Sequence, residues 1–236
     1  RLVIEDPADL EGLPESVIGA WADAAKGLGM EGKWVYTIQR SSMYPFLNYS
    51  ARRDLREKLL TAYLKRGDND NQYDNKETVS RMASLRVDRA KLLGYETHAD
   101  YVLERCMAKT PQAVYDFLDK LWSPALKRSG KEAADLQAMI DKEGGKFKLA
   151  PWDWRYYTEK LRKERYDLDE GTISSYFELE RTVEGLFSLA NKLYGITFTR
   201  LEDLPVYQKD VRAYEVREAD GTHIGILYQD FFARSS

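Results

Sequence analysis

The 236-residue chain has few of the side chains that carry most metal and nucleophile chemistry: two histidines, His98 and His223, and one cysteine, Cys106. A zinc site takes three or four His, Cys or carboxylate ligands. Neither histidine has a second His or Cys at ligand spacing, so no complete zinc site is legible. One cysteine excludes an internal disulfide framework and favours a reducing compartment. No apolar run approaches the roughly 20 residues that cross a bilayer. Neither sign of charge dominates. The 36 Lys+Arg against 39 Asp+Glu leave −3, without the basic excess that nucleic acid requires. A Gly-x-Ser-x-Gly elbow and a Gly-x-Gly-x-x-Gly loop are also missing; Gly27, Gly29 and Gly32 have the wrong spacing for a phosphate loop.

Aromatic residues are plentiful, with 5 Trp, 16 Tyr and 8 Phe, too many for a disordered chain. Apolar positions mostly repeat with helical spacing. A helix follows Pro14, with Val17, Ile18, Trp21 and Ala25 on one face, and Trp34 to Ile38 is a short β-favouring run. Arg52 to Lys65 reads as a helix with Leu55, Leu59, Ala62 and Tyr63 inward. A polar loop at Gly67–Asn71 follows. Asn75 is placed to cap a helix carrying Val79, Met82, Leu85, Leu92 and Leu93. Thr97 with Asp100 is a capping-box variant, and Thr110-Pro111 is a hydroxyl cap followed by proline at the first helical position. Pro124 is expected to kink or break the helix that starts there, with a second stretch through Leu136, Met139 and Ile140. Asp153 is expected to cap a short helix, Trp154 to about Arg165, and one long helix is expected from Thr172 to Tyr194. After Pro205 the pattern changes. Val211 to Arg217 and His223 to Gln229, joined through Ala219-Asp220-Gly221, read as a β-hairpin.

The expected architecture is mainly α: a helical body over residues 1–205, then a hairpin over 206–236. The chain opens at Arg1 without a targeting leader and stops just after an aromatic, strand-like segment, so it reads as a piece of a longer protein. The residues offer little catalysis. Glu180 and Glu184 share a helical face and read as solvated or salt-bridged, and Cys106 reads as a small buried hydrophobe. Trp152, Trp154, Tyr156 and Tyr157 form the densest aromatic cluster. It serves either as packing or as one wall of a ligand groove.

Several motifs occur in a telling order. They are Arg66-Gly67-Asp68-Asn69-Asp70-Asn71, Asp74-Asn75-Lys76, Pro151-Trp152-Asp153-Trp154-Arg155-Tyr156-Tyr157, Tyr166-Asp167-Leu168-Asp169, Gly185-Leu186-Phe187 and Gly225-Ile226-Leu227-Tyr228-Gln229-Asp230-Phe231-Phe232. Together they resemble the thimet oligopeptidase, neurolysin and oligopeptidase A family of zinc metallopeptidases, and within it the peptidyl-dipeptidases, from about Leu10 to Arg234. The resemblance implies the helical lobe of a neurolysin-like enzyme that hydrolyses oligopeptides and releases C-terminal dipeptides. It also implies zinc on a His-Glu-x-x-His helix, a motif this sequence lacks. In the family that helix lies C-terminal to the Gly-Ile-Leu-Tyr strand. No catalytic or metal residue is therefore expected in this segment, and the segment alone is expected to be inactive. Tyr228, Asp230 and Arg234 are expected near the substrate cleft, with Asp230 and Arg234 pairing as the structural alternative. The parent is expected to be monomeric and cytoplasmic, with a periplasmic location open, and to act on short peptides without nucleic-acid or membrane partners. The rival reading is a non-catalytic helical module that binds peptide or protein on the same scaffold.

Overall fold

A computed structural model describes residues 2–168 and 170–232. The chain divides into two compact units, Arg1–Tyr166 and Asp167–Ser236.

The first unit begins with strand β1 (Leu2–Ile4), which pairs antiparallel with β2 (Trp34–Tyr36). Between them run a short 3-10 turn (Pro7–Leu10) and helix α1 (Glu15–Lys26). Helices α2 (Arg40–Tyr49), α3 (Arg53–Leu64), α4 (Lys76–Leu92), α5 (His98–Leu103), α6 (Pro111–Lys142) and α7 (Pro151–Tyr166) follow. The main core gathers Ile4, Leu10, Leu13, Trp21, Tyr36, Met43, Phe46, Leu47 and Leu59. At its centre Tyr36 stacks on Phe46 with ring centroids 4.5 Å apart, and Trp21 lies tilted against both. Burial pushes the Tyr36 hydroxyl pKa well above its ordinary value, with Asp54 adding to the effect. Gly12 allows the chain to cross closely behind α2. Its φ is +85°, and a Cβ there would lie 2.4 Å from the Tyr49 carbonyl oxygen. A second cluster, Leu136, Met139, Ile140 and Tyr157, packs the end of α6 against α7.

Local capping follows the sequence. Thr97 and Asp100 form a reciprocal capping box on α5, and Thr110 Oγ1 accepts from the Ala113 amide at the start of α6. Some expectations are corrected. Helix α6 runs through Pro124 for 32 residues, so the proline does not break it; the one hydrogen bond it removes is lost within an otherwise continuous ladder. Asn75 stands at the N-cap of α4 without a side-chain capping bond; the Asp74 carboxylate accepts the Lys76 amide instead. Cys106 lies just past α5 and is exposed, not buried, with its thiol directed to the Val102 carbonyl. The apolar stripe on α4 forms as expected, but Val79, Met82, Leu85, Leu92 and Leu93 all face outward.

The second unit holds α8 (Glu170–Ser174), α9 (Leu179–Tyr194) and an antiparallel sheet of β3 (Thr197–Leu201), β4 (Arg212–Arg217) and β5 (His223–Gln229), in the order β3-β4-β5. The single helix expected from Thr172 is interrupted before Leu179. The Glu178 carboxylate accepts from the amides of Glu180 and Arg181, so it caps a new helix at a point the apolar stripe does not reveal. The hairpin matches its expected strands, and β3 joins it as a third. Phe187 of α9 stacks on Phe198 of β3 at 4.1 Å and meets Tyr214 of β4 edge-on. Gly195 ends α9 in the left-handed conformation that a C-terminal glycine supplies. Among the described residues no helix is long and apolar enough to cross a membrane.

Candidate functional site

The most built feature of the first unit surrounds Asp153. Residues Pro151–Tyr166 form α7, and Asp153 sits in its first turn with its side chain fully buried. Its carboxylate receives two donors from Arg53, Nε at 3.0 Å to Oδ1 and 3.2 Å to Oδ2, and Nη2 at 2.9 Å to Oδ2. Arg56 adds Nη2 at 3.0 Å, and the Ala150 amide adds a fourth donor at 3.1 Å. Arg56, itself buried, spends its remaining donors on the carbonyls of Ser50 and Trp152. Two guanidinium groups against one carboxylate leave a local charge of +1, and aromatic faces answer it. Arg53 lies over Phe147 at 4.3 Å and Arg56 over Tyr156 at 4.2 Å. The residue expected to cap α7 is thus the anion that joins α7 to α3, a role set by partners about 100 positions away.

Beside this network α2, α3, α6 and α7 enclose an open groove of about 1260 Å³. Leu47, Leu60, Leu149, Trp152 and Trp154 supply apolar walls, and Asn48, Lys148, Arg155 and Glu159 the polar groups. The two readings of the aromatic cluster divide between its members. Tyr157 is core and meets Tyr156 edge-on, whereas Trp152 and Trp154 line the groove. The indole N–H of Trp152 is buried and finds no acceptor among the described residues.

The acidic loop between α3 and α4 closes on itself. Lys76 Nζ lies 2.9 Å from Asp68, 2.8 Å from Asp70 and 2.7 Å from Asp74. Asp70, Asp74 and Asp68, in that order, hold the Lys76 ammonium far above its ordinary pKa. Asp74 is held well below the ordinary carboxylate range, by Lys76 first and then by the amides of Lys76 and Asp70. The sign follows: the Asp74 contribution is complete above the ordinary Asp value of about 3.9 and fades as pH falls towards the lower folded value. The amide protons of Asn69 and Asp70, which donate to Asp74 Oδ2, are therefore expected to titrate in NMR spectra with a midpoint below that of free aspartate. A midpoint at or above 4 on that scale would remove the ion cluster as the loop's clasp.

In the second unit Tyr228 stands on β5, directing its hydroxyl towards the Pro205 carbonyl, and Asp230 follows the strand and accepts from Tyr207 Oη at 2.8 Å. Arg234 lies outside the described residues. Glu180, read as a solvated or paired carboxylate, is bound bidentately by Arg212, which holds its pKa down. His223 Nδ1 lies 2.9 Å from Glu215 on the neighbouring strand, and His98 is far away in sequence at the start of α5. Among the described residues no three His, Cys, Asp or Glu side chains converge as a metal ion requires. Sequence reasoning missed the roles of Arg53 and Arg56. Their only sequence signal was that both lie at the start of a helix whose apolar face they share.

Over all of its length the chain is 38% identical to a dipeptidyl carboxypeptidase of Escherichia coli (strain K12), covering 35% of that protein. It is 34% identical to an oligopeptidase A of Haemophilus influenzae, with 98% of the chain aligned to 34% of the relative. It is 33% identical to an organellar oligopeptidase A of Arabidopsis thaliana, with 99% aligned to 30% of the relative. The chain therefore spans about a third of the length of the curated relatives it matches. The sequence signature of peptidase family M3 matches residues 46–236, from the middle of α2 through the whole hairpin. The chain belongs to peptidase family M3.

Proposed function

We propose that the chain is the central part of a zinc metallopeptidase that hydrolyses oligopeptides and releases dipeptides from their C-termini. The observation that carries this reading is the 38% identity to a dipeptidyl carboxypeptidase across every position of the chain. In this reading the helices of residues 1–205 supply the channel wall, and β3 together with the hairpin of residues 206–236 belongs to the small sheet of the catalytic domain. Zinc and its ligands belong to the remainder of the parent, where the metal would polarise the scissile carbonyl and activate water. The segment's own part is structural: the Asp153 network fixes α7 against α3, and β5 supports the substrate-facing side of the sheet. Among the described residues β5 has a strand on one side only, and Ile226 and Tyr228, two residues apart in the strand, are exposed on it. Tyr228 and Asp230 sit where an extended peptide added to that edge would pass, the strand-addition mode of peptide recognition. An exposed single thiol suits a reducing compartment, so we place the monomeric parent in the cytoplasm.

The full-length polypeptide, incubated with N-acetylated oligopeptides and analysed by mass spectrometry, is expected to release C-terminal dipeptides. Amidation of the peptide C-terminus should abolish that release. Internal cuts indifferent to amidation would replace the dipeptidase reading with a general oligopeptidase one. Residues 1–236 alone, supplied with zinc, are expected to hydrolyse nothing. Chelator-sensitive hydrolysis by that segment would refute its assignment as a non-catalytic part.

A further inference from the structure

We propose that the groove between α2, α3, α6 and α7 is the seat of another segment of the same polypeptide, lying outside residues 1–236, that presents apolar side chains together with acidic ones. The inference rests on the reading of the chain as part of a longer family M3 polypeptide.

Size comes first. Small-molecule pockets run to roughly 300–1,000 Å³, and this groove, at about 1260 Å³, is larger and open along its length. Its walls are those of a protein interior, with Leu47, Leu60, Leu149, Trp152 and Trp154 facing the space. Apolar side chains gathered along an open groove mark a place where protein or ligand can dock.

Charge then narrows the occupant. The one carboxylate in the lining, Glu159, is already neutralised by Arg162 at 2.6 Å. The two cations are not. Among the described residues neither Lys148 nor Arg155 is paired with a carboxylate; Arg155 only lies over the Tyr44 ring, at 4.0 Å. The groove thus offers an apolar floor and two cations with no anion, and the segment that fills it should bring the carboxylates. Such pairs, once desolvated, fix register and exclude wrong segments more than they add affinity.

Length identifies the source. The relatives are about three times as long as this chain, so they carry ample further polypeptide that must pack somewhere. An occupant from the same chain is present at the high effective concentration of a tether.

The test is thiol protection. In a Cys106→Ser background, Ala134→Cys and Thr158→Cys place one thiol each on opposite walls of the groove. In residues 1–236 both thiols are expected to react with a maleimide nearly as fast as in urea. In the full-length protein they should react on the order of 100-fold more slowly, as buried sites that require local opening do. Adding Lys148→Glu and Arg155→Glu to the full-length protein should recover much of the lost reactivity while tryptophan emission stays native. Equal rates in both proteins overturn the proposal. So does protection of residues 1–236 that rises with protein concentration, which would make the occupant a second copy. Protection of the full-length protein that appears only on adding an oligopeptide would make the groove a ligand site, also overturning it. A reading frame with no coding sequence beyond these residues overturns it outright. Loss of peptidase activity with protection intact would instead overturn the proposed function and leave this inference standing.

Discussion

Replacement of Asp153 by alanine is expected to destabilise the Arg1–Tyr166 unit by about 3–5 kcal/mol, the cost of removing one partner from a buried ion pair. Asp153 and Arg56 are both essentially inaccessible to water, and Arg56 reaches Asp153, Ser50 and Trp152 with separate nitrogen atoms. Without the carboxylate, Arg56 keeps its two carbonyl acceptors and the Tyr156 face but loses its carboxylate partner. The carboxylate's four donors, two of them on Arg53, also lose their acceptor. Asp153→Asn should recover only a small part, because an amide oxygen can still accept from Ala150 but brings no charge. The control is Arg53→Met. Arg53 is about one-third exposed, so its loss leaves a solvated position and the Arg56–Asp153 pair intact, and a cost nearer 1 kcal/mol is expected. Urea unfolding followed by tryptophan emission distinguishes the cases. Equal, small losses for Asp153→Ala and Arg53→Met would mean that α7 is held to α3 by apolar packing alone.

The same network marks where sequence reading stops. Helix starts at Thr97 and Thr110 are legible because a cap and its donor lie within three residues of each other. Asp153, at the start of an aromatic helix, does accept one local amide, that of Ala150, but its charged partners stand at Arg53 and Arg56 and no local pattern points to them. The break before Leu179 fails for the opposite reason. The apolar stripe from Ile173 to Tyr194 keeps helical phase across it, and only the local bonds of Glu178 decide that a new helix begins. Periodicity is equally silent about partners. The stripe of α6 is buried at Leu136, Met139 and Ile140 but exposed at Phe117, Leu121 and Trp122, although both halves read alike. A stripe states that a face is apolar; what covers it depends on residues elsewhere. The candidate site shares this limit. Membership of family M3 was legible from motifs in order, whereas the groove, built from four helices, had only Trp152 and Trp154 as a sequence trace.

Phe46→Ala is expected to cost about 3–5 kcal/mol, the range for removing a fully buried aromatic side chain from a packed core. Phe46 is completely buried and stands between α1, β2 and α3 in the largest core cluster of the chain. Its ring lies nearly parallel to Tyr36, at 11°, and tilted by 41° against Trp21, so truncation leaves two large aromatic faces against a void. Neither neighbour can simply collapse into that space. Tyr36 is held by the register of β2 with β1, and Trp21 by the turns of α1 on either side of it. Phe46→Leu separates the components. It keeps most of the buried apolar volume but removes the ring contacts, which are worth roughly 0.5–1.5 kcal/mol beyond area, so it should cost well under half as much as alanine. Chemical denaturation gives both values, and Trp21 supplies a probe in contact with the site. A Phe46→Ala loss below about 1 kcal/mol would mean that this cluster relaxes around the deletion. The β1–β2 pair, α1 and α2 would then be held together by something other than the ring stack that joins them.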